Sequence, residues 1–242
     1  MMARQRASCV SLAVVSVLAC ACSTREPPGP LPLLTSVAQI RQLSPSGTRL
    51  GYPVRIKAYV TVYNSGWRLL AVQDETGGIA VEPGSAPLDV WQGIHVVVEG
   101  YTAWEGHSYL IIKPRVSQTP PGKAPVPRAA TAQEILSGKR DHQWIVIEGR
   151  VADYTRLSME ASRLRLRSGG RYLAATVLGD WRHACTLPGA WVKLRAVPES
   201  VFDENGRPQR SHLYIPSPED LESDRVPADP KTSSRGPAAA GG

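Results

Sequence analysis

Residues 35 to 63 read TSVAQIRQLSPSGTRLGYPVRIKAYVTVY, and residues 129 to 154 read AATAQEILSGKRDHQWIVIEGRVADY. Both stretches run through an Ala-Gln helical turn, a polar stretch, and an alternating apolar strand that ends in Tyr. Such self-similarity marks an internal duplication. Setting Val60 against Val151 brings Val54, Ile56 and Tyr63 opposite Ile145, Ile147 and Tyr154, so the inward-facing pattern of a strand survives in both copies. Further on, Gln92-Gly93-Ile94 answers Pro188-Gly189-Ala190 ahead of a strand, and SYLIIKP (108 to 114) answers SHLYIP (211 to 216).

Each copy therefore reads as a short helix followed by five strands. Strand one is expected at 53 to 63 and at 144 to 154. Strands two and three are expected at 67 to 73 and 78 to 82 in the first copy, across Asp74-Glu75-Thr76-Gly77-Gly78, and at 159 to 167 and 171 to 178 in the second, across Ser168-Gly169-Gly170. Glycines there supply the backbone freedom of tight hairpins. Short strands at such spacing point to small barrels. The expected fold is all-β: two tandem five-stranded OB-fold-like barrels, at residues 34 to 118 and 129 to 222, each preceded by a short helix. The proline-rich residues 119 to 128 would form a semi-rigid spacer. From Ser223 the chain is polar and rich in Pro, Gly and Ala, the composition of a disordered tail.

The N-terminus carries an address. Arg4 and Arg6 precede the apolar residues 7 to 19, which end at Ala19-Cys20. That run is shorter than the roughly 20 apolar residues of a membrane span, so it reads as a cleaved signal peptide followed by a flexible linker at 20 to 33. The pattern resembles bacterial lipoprotein signals, although Val17 and Leu18 depart from the commonest form. The resemblance implies that Cys20 takes a diacylglycerol on its thiol and a third acyl chain on its amine, anchoring the chain stably. Cys22 is the alternative anchor. Ala21 lacks the aspartate associated with inner-membrane retention, which favours an outer membrane where one exists.

The sequence has four cysteines, and with Cys9 in the leader and Cys20 or Cys22 acylated, Cys185 is left in the folded region. That excludes a disulfide framework. The five histidines are scattered without zinc-ligand spacing, and no metal or cofactor is expected. The formal charge of +7, less Arg4 and Arg6, leaves +5 (7 − 2) on the mature chain, a basic excess that favours anionic partners or headgroups.

Several stretches resemble a known family, the tandem OB-fold-like extracytoplasmic sensor segments found ahead of membrane-spanning histidine kinases in acidobacteria and related phyla. They are Leu34-Thr35-Ser36-Val37-Ala38-Gln39-Ile40, Gly51-Tyr52-Pro53-Val54-Arg55, Val72-Gln73-Asp74-Glu75-Thr76-Gly77-Gly78-Ile79, Gln143-Trp144-Ile145-Val146-Ile147-Glu148-Gly149 and Tyr214-Ile215-Pro216-Ser217. The resemblance spans roughly residues 34 to 221. It implies a five-stranded Greek-key barrel in each copy and a sensing or binding role. No kinase core or transmembrane helix follows in this sequence, so a stand-alone binding lipoprotein is expected.

Arg163-Leu164-Arg165-Leu166-Arg167 is the sharpest local pattern. Alternation along a strand places its three arginines on one face, where guanidiniums grip phosphates or carboxylates. Arg171 across the hairpin is a candidate fourth. An ordinary solvated strand exterior has the same pattern. Trp67 and Trp104, expected in loops, are candidates for stacking on a ligand. Asp203-Glu204-Asn205-Gly206-Arg207 lacks the terminal bidentate Glu of a calcium loop and reads as a hairpin turn. Asp180 and His183 lie close in sequence but have no nucleophile elbow beside them, so no catalytic residue is assigned. The expectation is a non-enzymatic, lipid-anchored envelope protein that binds an anionic ligand, a glycan or an envelope protein. A structural adaptor touching proteins or peptidoglycan is the alternative, and single-stranded nucleic-acid binding comes third because of the address.

Overall fold

In the first copy the chain enters through α1 (Val37–Arg41), a five-residue helix that forms because Ser36 and Gln39 make a reciprocal capping box. Its first N–H groups are taken by Asp74 Oδ2 and Thr76 Oγ1, which docks the helix on the turn at residues 74 to 77. A computed structural model describes residues 29 to 180 and 184 to 224. After α2 (Pro45–Thr48) come β1 (Pro53–Asn64), β2 (Leu69–Gln73), β3 (Gly78–Val81), β4 (His95–Glu105) and β5 (Ser108–Gln118). They close into a barrel in the order β1-β2-β3-β5-β4, with β3 parallel to β5 and the other pairs antiparallel. That is an OB-fold-like topology. Val54, Ile56, Val60, Leu70, Val72, Ile79, Val96, Val98 and Ile111 fill it.

The second copy repeats the plan with additions. β6 (Arg128–Ala129) leads to α3 (Ala132–Leu136), whose capping box is Thr131 with Glu134. Then come β7 (Ile145–Arg156), β8 (Ala161–Ser168), β9 (Arg171–Leu178), β10 (Trp191–Phe202), β11 (Pro208–Ile215) and β12 (Leu221–Ser223). They form a seven-stranded sheet in the order β12-β10-β11-β9-β8-β7-β6, and β10 also pairs with β7. Ile145, Ile147, Val151, Leu164, Leu166, Leu173, Leu194 and Leu213 make its core. The strand count exceeds the expected five because the end of the proline-rich stretch pairs with β7, and because pairing at the other end reaches Ser223, one residue past the expected boundary.

Hydrogen bonds carry the duplication further. Val60 N donates to Ile94 O while Gly93 N donates to Val60 O, and the same pair of bonds joins Val151 with Ala190 and Gly189. A bulge follows at the same place in each copy, at Val60/Val62 and at Val151/Asp153. One extra residue flips the strand's parity. This is why Tyr63 and Tyr154 pack inward although each stands an odd number of residues after its Val.

The two copies belong to one compact unit, and among the described residues every strand pairing and both cores lie within residues 34 to 223. Their seam is apolar where Val62 and Ala71 meet Leu178 and Val197, with Leu69, Trp144 and Tyr214 packed around them. Trp144 stacks on Tyr59 with ring centroids 5.8 Å apart, and its backbone N–H donates to Gln73 Oε1 at 2.7 Å. Arg41 reaches across the seam, donating to Gly78 O at 2.6 Å and to Asp141 O at 3.0 Å. Asp141 in turn accepts from Ser200 N and Oγ, and burial pushes its carboxyl up to about 6. The proline-rich connection is held where His95 Nδ1 accepts from Gly122 N at 3.2 Å. Among the described residues no helix is long and apolar enough to cross a membrane.

Candidate functional site

β8 alternates as its sequence requires. Leu164 and Leu166 are buried in the core, and Arg163, Arg165 and Arg167 are exposed on the outer face. Register decides what surrounds them. On β7, Arg150 stands directly opposite Arg167, and Trp191 on β10 stands opposite Arg150. On β9, Tyr172 stands opposite Arg167. One row across four strands therefore reads Trp191, Arg150, Arg167, Tyr172, two cations flanked by two aromatics. Trp191 is 49% and Tyr172 54% exposed. Arg165 lies over the Tyr172 ring, its guanidinium carbon 5.0 Å from the centroid. Like charges directly opposite on neighbouring strands are destabilising, and among the described residues none of Arg150, Arg163, Arg165 and Arg167 forms an ion pair. Asp153 stands opposite Arg165 and spends one carboxylate oxygen on the backbone N–H of Tyr154.

Toward the seam the face turns aromatic. His212 on β11 shares a 2.8 Å hydrogen bond with Thr176 Oγ1 and stacks at a tilt on Tyr214. Burial, together with the Arg163 and Arg210 guanidiniums, holds the His212 imidazole down to about 4. Thr176 is 1% exposed, so this pair fixes the ring and offers no hydroxyl to solvent. Tyr214 donates to Glu199 Oε2 at 3.0 Å, and burial beside that carboxylate raises its phenol. Trp67 meets the Tyr214 ring edge-on at 6.3 Å, which brings it to the border of the arginine face.

The other sequence candidates fare differently. Arg171 is opposite Ser168, one residue out of phase with Tyr172, so strand alternation turns it away from the row. Trp104 lies inside β4, not in a loop, and packs edge-to-face on Tyr109 at 4.8 Å. Residues 203 to 207 form a hairpin turn between β10 and β11, closed by bonds between Asp203 and Arg207. Cys20, Cys22 and His183 lie outside the described residues. In the first copy the positions matching the stripe are Leu69, Ala71 and Gln73, and all three are taken up by the seam. Sequence reasoning missed Arg150, Tyr172, Trp191, Arg210 and His212, because each comes from another strand and only the register of the sheet places it around β8 and its neighbours.

No family model matches this chain, and no curated protein matches it. Solved structures do overlap it. A protein assigned as an aspartyl-tRNA synthetase from Leishmania major is 11% identical over 43% of this chain, with a TM-score of 0.31, and only 22% of its own length is covered. A murine DNA binding protein bound to double-stranded DNA is 12% identical, covering 72% of this chain and 98% of that one, with a TM-score of 0.33. A replication protein A heterotrimer bound to single-stranded DNA is 16% identical over 76% of this chain and 50% of its own, with a TM-score of 0.30. Overlaps this weak carry no argument.

The geometry of the arginine face suits an anion. Arginines two residues apart on a strand project side chains about 7 Å apart along it, and each guanidinium offers a planar fork to a phosphate, sulfate or carboxylate. Aromatic rings at both ends of the row add flat surfaces for a sugar or a base.

Proposed function

We propose that this chain is a non-enzymatic, lipid-anchored extracytoplasmic binding protein of the bacterial envelope that holds an anionic ligand on the outer face of β7, β8 and β9. The observation that carries the reading is the row Trp191, Arg150, Arg167, Tyr172, in which two cations with no ion pair among the described residues face each other across neighbouring strands. An arrangement that costs stability in the free protein is favourable once an anion lies between the cations. On this reading the second copy is itself an OB-like barrel, which the additional β10 to β7 pairing supports. The chain is then a relative of the sensor segments that its sequence resembles. Only the second copy binds, because the seam covers the matching face of the first. The flanking aromatics favour a second reading, single-stranded nucleic acid, in which bases stack on Tyr172 and Trp191.

The test replaces Arg163, Arg165 and Arg167 with Ser and measures retention on phosphorylated and sulfated glycans and on an oligonucleotide. Each lost charge-assisted contact is worth about 1 kcal/mol at an exposed site, so retention is expected to fall by about 100-fold. Unchanged retention refutes the assignment. Retention confined to the oligonucleotide and falling steeply with salt selects the second reading.

A further inference from the structure

The opposite wall of the first barrel carries a second basic surface. Arg55 and Lys57 point outward from β1, Arg115 from β5, and Lys113 from a bulge where Gly100 on β4 faces two residues of β5. Glu99 stands between Arg55 and Arg115 and pairs with Arg55 at 3.5 Å, so four cations face one carboxylate. The bulge is built in. A Cβ on Gly100 would lie 2.7 Å from Ile112 O, and Lys113 holds a left-handed φ of 51°. Around it opens a groove of about 720 Å³ whose apolar edge is Leu33, Pro114 and Tyr101. Leu33 is 51% and Tyr101 48% exposed. The seam with the second copy lies elsewhere, on Ala71, Gln73 and Gly78.

Where the chain enters decides the partner. Leu33 is both a wall of the groove and the residue before the first bridge, Leu34 with Val54. Cys20 stands 13 residues (33 − 20) upstream, a span of at most about 45 Å. We propose that this face of β1, β4 and β5 lies against the anionic headgroups of the bilayer that holds the anchor, an assignment that rests on the lipoprotein reading above. The cations meet headgroup phosphates, and Tyr101 and Leu33 sit at the headgroup level, where amphipathic and apolar side chains are favoured. Docking this wall leaves the arginine face of the second copy to its own ligand.

The test uses the chain from Ser23 onward, which lacks the leader and both anchor cysteines but keeps every described pairing and both cores. It is sedimented with vesicles of phosphatidylcholine alone or with phosphatidylglycerol added. Binding is expected only with phosphatidylglycerol. A basic residue at an anionic surface contributes about 1 kcal/mol, so Lys113→Ser with Arg115→Ser is expected to lower partitioning about 30-fold, with thermal unfolding unchanged. Leu33→Ser with Tyr101→Ser is expected to weaken it as well, and the triple Arg163, Arg165, Arg167 to Ser variant to leave it intact. The proposal is overturned if the Lys113/Arg115 variant binds as the parent does, if the triple variant is the one that loses binding, or if soluble glycerol phosphate binds as tightly as vesicles. The anchor is tested apart, in cells. Cys20→Ser or Cys22→Ser in the full chain releases the protein if that reading holds, whatever the vesicles show.

Discussion

Gly78 opens β3 at the seam, and a methyl group there has nowhere to go. Its Cβ would lie 1.8 Å from His142 O, 2.3 Å from His142 C and 2.8 Å from Gln143 N, all backbone atoms. Reaching 3.0 Å, where real contacts begin, takes a 1.2 Å shift (3.0 − 1.8) of one copy against the other. Arg41 spans that gap, bonded to Gly78 O and Asp141 O, so the shift breaks at least one of those bonds. Overpacking costs about 1–3 kcal/mol, and a hydrogen bond to a charged group is worth about 1.5–3 kcal/mol. Gly78→Ala is therefore expected to lose about 3–5 kcal/mol, a large part of the roughly 5–15 kcal/mol of a typical domain. Gly77→Ala is the control, since its Cβ would meet Val37 Cγ1 at an ordinary 3.4 Å. Urea unfolding followed by tryptophan fluorescence reads the effect, because Trp144 sits in the seam. Proteolysis between residues 119 and 128 should quicken as the copies part. If Gly78→Ala unfolds within about 0.5 kcal/mol of the parent, the scale of an ordinary surface change, the close seam is refuted.

Two further outcomes follow from named contacts. His212 is held neutral down to about 4, while the unfolded chain binds its proton below about 6.5. The stability it contributes is therefore complete above 6.5 and lost as pH falls toward 4. His212→Gln should flatten this loss, seen as a smaller drop in unfolding free energy than the parent shows between about pH 7 and pH 4.5. Asp141, raised to about 6, works the other way, its contribution present at low pH and lost as pH rises through 6. It does so in parent and variant alike, so the difference between them isolates His212. Thr131→Ala removes the cap on α3 and Ser36→Ala the cap on α1, and each should cost about 1 kcal/mol in chemical denaturation. A near-zero cost at one and a full cost at the other would count against equivalent roles for the two helices.

Local chemistry left clear marks. The capping boxes Ser36 with Gln39 and Thr131 with Glu134, the alternation in β8, and the correspondence of Val60 and Gly93 with Val151 and Gly189 all read directly from spacing. The Tyr63 and Tyr154 matches were legible too, but their reason was not, since a one-residue bulge shows itself only in the pairing with β2 and β8. Trp104 was misplaced because β4 runs to Glu105, and nothing in its sequence distinguishes a long strand from a strand followed by a loop.

By itself the sequence determined the strand-rich duplication and the outward turn of Arg163, Arg165 and Arg167. These depend on neighbours along the chain, through side-chain period, turn residues and local charge. Only the tertiary structure decided which residues complete the face. Arg150 and Tyr172 sit beside Arg167, and Trp191 beside Arg150, through strand register, and Leu69, Ala71 and Gln73 are withdrawn from any ligand because the second copy covers them. Register and docking are set by contacts between residues far apart in sequence, and no local period encodes them.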